Sequence, residues 1–230
     1  MALILHIETA TEVCSVAVAN NRELLSIKET TGGNSHSANL TIFIEEVMKQ
    51  SGKTLKELDA VAVSKGPGSY TGLRIGVSTS KGLCFGLDIP LIAIDTLKAM
   101  AYGASNGKIA DFIYCPMIDA RRMEVYAAIY DKNNNTLRDV SADIVDELIY
   151  KEYLDNNIIM FFGNGANKCR EVLSSHPNAK FLDNNLASAG KMISLAADKY
   201  EQKQFEDVAY FEPFYLKDFI AAKPVVKGLR

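Results

Sequence analysis

The stretch of this chain whose residue types and spacing could do chemistry is Ser64-Lys-Gly66-Pro-Gly68-Ser69-Tyr-Thr-Gly72-Leu-Arg74-Ile-Gly76. An apolar run, Leu58 to Ser64, feeds a glycine turn that opens a helix over Thr71–Leu87. Free N–H groups and the positive end of the helix dipole at such a junction make an anion site, with Gly66, Gly68 and Ser69 as candidate contacts. No Gly-Lys-Ser/Thr closes the loop, so no lysine reaches a phosphate, and the displaced third glycine departs from a dinucleotide fingerprint. The same glycines also fit a tight turn in which they only permit the backbone path. The local pattern supports both.

Four further features carry polar chemistry. Glu8 stands in a short polar turn, Glu8-Thr-Ala-Thr-Glu12, between two apolar strands. Asp119, Arg121 and Glu124 lie at a hairpin expected to face a cleft, where Arg121 either meets a phosphate or pairs with an acidic neighbour. Gly163-Asn-Gly165-Ala166 follows a strand and reads as a turn, with nucleotide contact as the alternative. The histidines His6, His36 and His176 are far apart and show no HxxxH or HExxH spacing, so no metal site is expected. The four cysteines, Cys14, Cys84, Cys115 and Cys169, form no CxxC pair, and the first three sit in apolar or small-residue runs where a free cysteine behaves as a small hydrophobe, as in a reduced, cytoplasmic protein.

These residues need elements to position them. Leu3–Ile7, Val13–Ala19 and Arg22–Thr30 read as three strands, and the first two are apolar on both faces, as central strands are. After the capping loop Thr31–Ser35, the residues Leu40, Phe43, Ile44, Val47 and Met48 follow the spacing of one helix face, and Gly52 closes that helix. In the glycine-opened helix, Gly72, Gly76, Ser80 and Cys84 recur every four residues. Glycine costs roughly 1 kcal/mol at each helical position, so this stripe demands close packing, either inside the lobe or against a partner chain. A strand over Ile89–Ile94 and a helix from Thr96 to about Ala104 end the first half, and Ser105–Lys108 is the expected boundary. The second half opens on a hairpin of Phe112–Asp119 and Glu124–Tyr130 with a strand near Leu137–Val140. A helix over Asp143–Tyr153, a strand over Ile158–Gly163 and a helix over Lys191–Lys203 complete it. Both halves thus read as βββαβα units, a duplicated α/β fold of two lobes, residues 1–105 and 106–230.

With 25 Lys+Arg against 28 Asp+Glu in 230 residues, net charge is −3 and the pI about 5.7. That balance argues against a self-sufficient nucleic-acid binder. No run approaches the roughly 18 apolar residues of a membrane span, and Glu8 falls too early for a signal sequence, so the opening reads as a strand of the folded protein.

Ile7-Glu8-Thr-Ala-Thr11, the segment Gly66–Gly76, Ile118-Asp-Ala-Arg121 with Glu124-Val-Tyr126, and Glu212-Pro-Phe-Tyr-Leu-Lys217 closely resemble the TsaB (YeaZ) family along the whole chain. The resemblance implies an actin/Hsp70-like (ASKHA) fold. It also implies a role in forming threonylcarbamoyladenosine in tRNAs reading codons that start with A. It implies a non-catalytic subunit that pairs with TsaD, is joined by the ATPase TsaE, meets tRNA mainly through the complex and homodimerises when TsaD is absent. The pairing would use the helices His36–Ser51 and Thr71–Leu87: Leu40, Phe43, Ile44 and Val47 on the first, Gly72, Arg74, Gly76 and Ser80 on the second. TsaD-like members hold a metal through an HxxxH pair on the first helix; here that stretch is His36-Ser-Ala-Asn-Leu40, so no metal ligand or catalytic residue carries over. No cofactor is implied for this chain itself, with ATP or ADP at the interface of the complex a candidate ligand. Where nucleotide-binding relatives of the fold place an Asp in the first hairpin, this chain has Glu8, a candidate nucleotide contact whose longer carboxylate departs from a standard Mg-nucleotide geometry. The competing expectation is an independently active ATPase or phosphotransferase of the actin-like fold; no Ser/His/Asp set supports a protease.

Overall fold

The computed structural model describes residues 2–32, 36–106 and 111–217. Strands β1 (Leu3–Glu8), β2 (Val13–Asn20) and β3 (Glu23–Thr31) form an antiparallel meander. Helix α1 (His36–Gln50) leads to β4 (Ala60–Gly66), α2 (Tyr70–Leu87) leads to β5 (Leu91–Asp95), and α3 (Thr96–Ser105) follows. β4 pairs parallel with β1, and β5 with β4, so the sheet order is β3-β2-β1-β4-β5.

The second half repeats that path. β6 (Ile113–Asp119), β7 (Glu124–Tyr130) and β8 (Thr136–Ile144) form the meander; α4 (Lys151–Leu154), β9 (Ile159–Phe162), α5 (Ala166–Leu173), β10 (Ala179–Leu182) and α6 (Ile193–Glu201) follow. Its sheet order, β8-β7-β6-β9-β10, is the same topology. The molecule is therefore a duplicated α/β fold in which each βββαβα unit continues by one more strand and helix.

β1 is buried along its whole length because both its faces are covered. Leu3, Leu5 and Ile7 join Leu40, Ile44 and Val47 of α1 in one core, while Ile4 on the other face meets Met192 and Ala196 at the other end of the chain. The lobes thus exchange their closing helices. α6 lies against β1 and β5 of the first sheet, and α3 packs on β6 and β7 of the second as well as on its own β4 and β5.

Two parts of the second half differ from the sequence reading. The helix expected over Asp143–Tyr153 is one turn, α4, because β8 runs on to Ile144. Asp143 is buried there and accepts from Arg138, Ser141 Oγ (2.8 Å) and Tyr150 Oη (2.7 Å), which holds its backbone extended. Asp146 then accepts from the N–H groups of Leu148 and Ile149, a turn that competes with helix. The reading also missed α5 and β10. Ala166, Cys169 and Leu173 do carry a helical spacing, but two turns are too short for it to stand out. The residues expected as capping at 33–35, part of the boundary at 105–108, and the basic residues Lys223, Lys227 and Arg230 lie outside the described residues.

Candidate functional site

The two hairpins that open the lobes, β1–β2 and β6–β7, face each other across a cleft of about 930 Å³. Thr11 and Glu12 line it from the first lobe, Asp119 and Arg121 from the second. The N-terminal turns of α1 and α2 close one side through His36 and Ser69–Gly72, and Tyr215–Lys217 run along its edge. Asn164 ties the two hairpins together: its amide group donates to Glu12, and its oxygen accepts from the Asp119 N–H at 3.0 Å.

The glycine loop is built against its own lobe. Ser69 caps α2 by accepting from the Gly72 N–H at 3.3 Å, and the Ser69 N–H donates to the Ala10 carbonyl at 2.7 Å. A Cβ on Gly68 would stand 2.2 Å from the Ala10 oxygen, and one on Gly72 would stand 2.1 Å from the Thr9 oxygen. On Gly76 it would stand 2.2 Å from Thr9 Oγ1. The four-residue stripe is thus the bed of the β1–β2 turn, with Ser80 buried behind it. Gly66 has φ +115, and its missing side chain leaves room for the carbonyl of Phe214, whose N–H donates to Lys65 O at 2.7 Å. Carbonyl oxygens of Phe214, Ala10 and Thr9 stand where side chains at Gly66, Gly68 and Gly72 would be.

Glu8 lies behind the cleft wall, fully buried. Its carboxylate accepts from the Ala10 N–H at 2.6 Å and from Ser64 Oγ at 3.0 Å. Burial pushes its pKa up to about 7, against the Ala10 and Ser64 hydrogen bonds and the nearby Lys191 charge. Burial likewise lowers Lys191 to about 8 and His6 to about 4. Gly163 and Gly165 sit under the end of β6: a Cβ would meet the Met117 oxygen at 2.3 Å in one case and the Ile118 carbonyl carbon at 2.9 Å in the other. Of the turn they flank, Asn164 is the residue that reaches the cleft.

Arg121 was expected to meet a phosphate or to pair with an acidic neighbour, and the structure gives its neighbours to lysines. Lys168 pairs with Asp119, and Lys217 pairs with Glu124 at 2.5 Å. No spacing rule could find these pairs, since Lys217 and Glu124 are 93 residues apart. Tyr215 was missed for the same reason; its ring packs at 4.7 Å on that of Tyr70.

The structure places most of the expected partner residues inside the lobe. Leu40, Phe43, Ile44 and Val47 are core residues of the first lobe, and Gly72, Gly76 and Ser80 are buried on α2. An amphipathic stripe looks the same in sequence whether it meets its own sheet or another chain, and here an uncovered sheet was waiting. Of the eight, Arg74 is exposed, bonded to Tyr70 Oη at 3.0 Å. The outward faces of the two helices present Ile42, 51% exposed, and Phe85, 86% exposed, with Gly82 and Gly86 facing open space. The four cysteines are free and buried. Among the described residues no cluster of histidine, cysteine or carboxylate has the makings of a metal site, and no helix is long and apolar enough to cross a membrane.

Comparison with known proteins bears on this geometry. A family model described as TsaD, tRNA N6-adenosine threonylcarbamoyltransferase, matches residues 23–224. The chain is 30% identical over 227 residues to the tRNA threonylcarbamoyladenosine biosynthesis protein TsaB of Escherichia coli, covering 96% of each. A solved structure of YeaZ from Pseudomonas aeruginosa superposes with a TM-score of 0.79 at 24% identity, covering 94% of this chain and all of that one. The ADPNP-bound activator of the 2-hydroxyisocaproyl-CoA dehydratase from Clostridium difficile shares the fold at a TM-score of 0.52 and 9% identity, over 89% of this chain and 98% of its own. The two-lobed fold is thus of the actin-like (ASKHA) class, and the chain belongs to the TsaB family, within the wider group that the TsaD model describes.

Proposed function

We propose that this chain is a non-catalytic subunit of the cytoplasmic assembly that forms N6-threonylcarbamoyladenosine in tRNA, and that it acts by docking and activating TsaD, with TsaE joining the pair. The observation that carries the docking is the outward face of α1 and α2. Two long adjacent helices leave Ile42 and Phe85 in solvent, and Gly82 and Gly86 leave room for a close-packed partner helix. An exposed apolar face of this kind marks an interface, and it would serve a second copy of the chain when TsaD is absent. A non-catalytic role is supported by Glu8, whose carboxylate is engaged by Ala10 and Ser64 of its own lobe.

Reconstitution tests this. The chain alone should transfer no threonylcarbamoyl group to tRNA, and adding TsaD and TsaE should produce the modified base. Phe85→Asp should abolish co-purification with TsaD while leaving the isolated chain folded. Transfer by this chain alone, or undiminished association of Phe85→Asp, sinks the reading. The polar interlobe cleft favours one second reading, an independently active ATPase or phosphotransferase. Tight magnesium-dependent ATP binding by the isolated chain, lost in Glu8→Ala, is the result that would favour it.

A further inference from the structure

The tip of the β6–β7 hairpin carries two adjacent arginines, Arg121 and Arg122, with no partner of their own among the described residues. Among the described residues the other arginines are held by side chains: Arg22 by Asp198 and Glu201, Arg74 by Tyr70, Arg138 by Asp143, Arg170 by Asp183. Among the described residues the Arg121 and Arg122 guanidinium groups make no hydrogen bond or ion pair, and both residues are exposed. Their backbones stand at φ 71° and 47°, the left-handed region that glycine and asparagine occupy at less cost. The turn is nevertheless stiff. Asp119 Oδ1 accepts from the Arg121 N–H at 2.8 Å, the Ala120 N–H donates to Glu124 O at 3.1 Å, and the Glu124 N–H donates to Arg121 O at 3.0 Å. The hairpin's own carboxylates, Asp119 and Glu124, are paired with Lys168 and Lys217, so within the hairpin the two guanidinium groups are the unpaired charges. Glu12, across the cleft, is held by the neutral Asn164 amide.

We infer that Arg121 and Arg122 make a direct contact of this subunit to the backbone phosphates of the RNA substrate, an inference that rests on the proposed role in tRNA modification. The planar fork of a guanidinium matches a phosphate in two hydrogen bonds. Residues poorly suited to their backbone conformation, held on a rigid tip and left unpaired, are what a phosphate contact needs and what the fold alone does not. A chain of net charge −3 does not bind RNA by its overall field, and two placed arginines add a local contact to whatever its partner supplies. An acidic protein surface is the competing occupant. The geometry favours RNA, because the apolar face suited to a protein partner lies on α1 and α2 of the other lobe.

The test is the double variant Arg121→Asn/Arg122→Gly in the full complex with TsaD and TsaE. It removes both guanidinium groups and installs residues better suited to positive φ, so the melting temperature of the chain should hold or rise. Binding to unmodified tRNA should weaken about tenfold, and the plot of log affinity against log salt should become shallower by roughly 1.5 to 2. Arg121→Lys/Arg122→Lys should keep the slope. An unchanged slope in the Asn/Gly variant, with the wild-type complex binding tRNA, overturns the inference and leaves the proposed function standing. Loss of assembly with an unchanged slope overturns it in favour of an acidic protein surface. A wild-type complex that neither binds nor modifies tRNA overturns the function and the inference with it.

Discussion

At the scale of single residues, Glu8 is a carboxylate buried in its own lobe and held by Ala10 and Ser64. Its folded pKa, about 7, lies above the ordinary 4.5, so between those values the native state binds the proton more tightly than the unfolded chain does. Stability is greatest, as far as this group goes, below pH 4.5 and declines as pH rises to about 7. Lys191, lowered from 10.5 to about 8, adds stability as pH rises between those values, because there the unfolded chain holds the extra proton. Glu8→Gln keeps an oxygen for Ala10 and Ser64 without the buried charge. It should flatten the pH dependence of the melting temperature between about 4.5 and 7 and raise the melting temperature at pH 8, an advantage on the order of 2 kcal/mol. A pH profile superposable on the wild type would show that the carboxylate is not titrating inside the fold.

At the scale of elements, α2 carries two stripes of small residues at four-residue spacing, Gly72, Gly76, Ser80 and Cys84 and then Ser78, Gly82 and Gly86, that the sequence displays alike and the structure separates. Gly76→Ala would force a Cβ to within 2.2 Å of Thr9 Oγ1, and overpacking of that kind costs typically 1–3 kcal/mol, more than the roughly 1 kcal/mol gained in helix propensity. Gly82→Ala meets open space and should stabilise the isolated chain by about 0.5–1 kcal/mol. Urea denaturation of the two variants should therefore move the midpoint in opposite directions; a stabilising Gly76→Ala would mean that the β1–β2 turn does not bear on α2. The four-residue spacing was legible because helical periodicity is local. The face that each stripe presents was not, because the same spacing serves an internal contact and an external one. The short α5 and the extended run to Ile144 were lost for a related reason, a tertiary network at Asp143 outweighing local propensity.

At the scale of the whole molecule, the exchange of α3 and α6 makes each lobe depend on the other. Ile4, Ile92 and Ile94 of the first sheet are covered by Met192 and Ala196, from the far end of the chain. The chain should therefore unfold in one calorimetric transition with matching van't Hoff and calorimetric enthalpies, and a chain cut after Leu182 should lose cooperative unfolding altogether. Two resolved transitions would show that the lobes fold as independent units. The sequence by itself determined the duplicated meander-and-helix pattern, the glycine segment and the resemblance to one family, because each is written in residues near one another along the chain. Only the tertiary structure decided that Glu8 is engaged by its own lobe, that the α1 stripe is core, and that lysines leave Arg121 unpaired. Those outcomes rest on pairs such as Glu8 with Ser64, 56 residues apart, and Asp119 with Lys168, 49 apart. No local pattern encodes such a pair; it exists once the two sheets have closed against each other's helices.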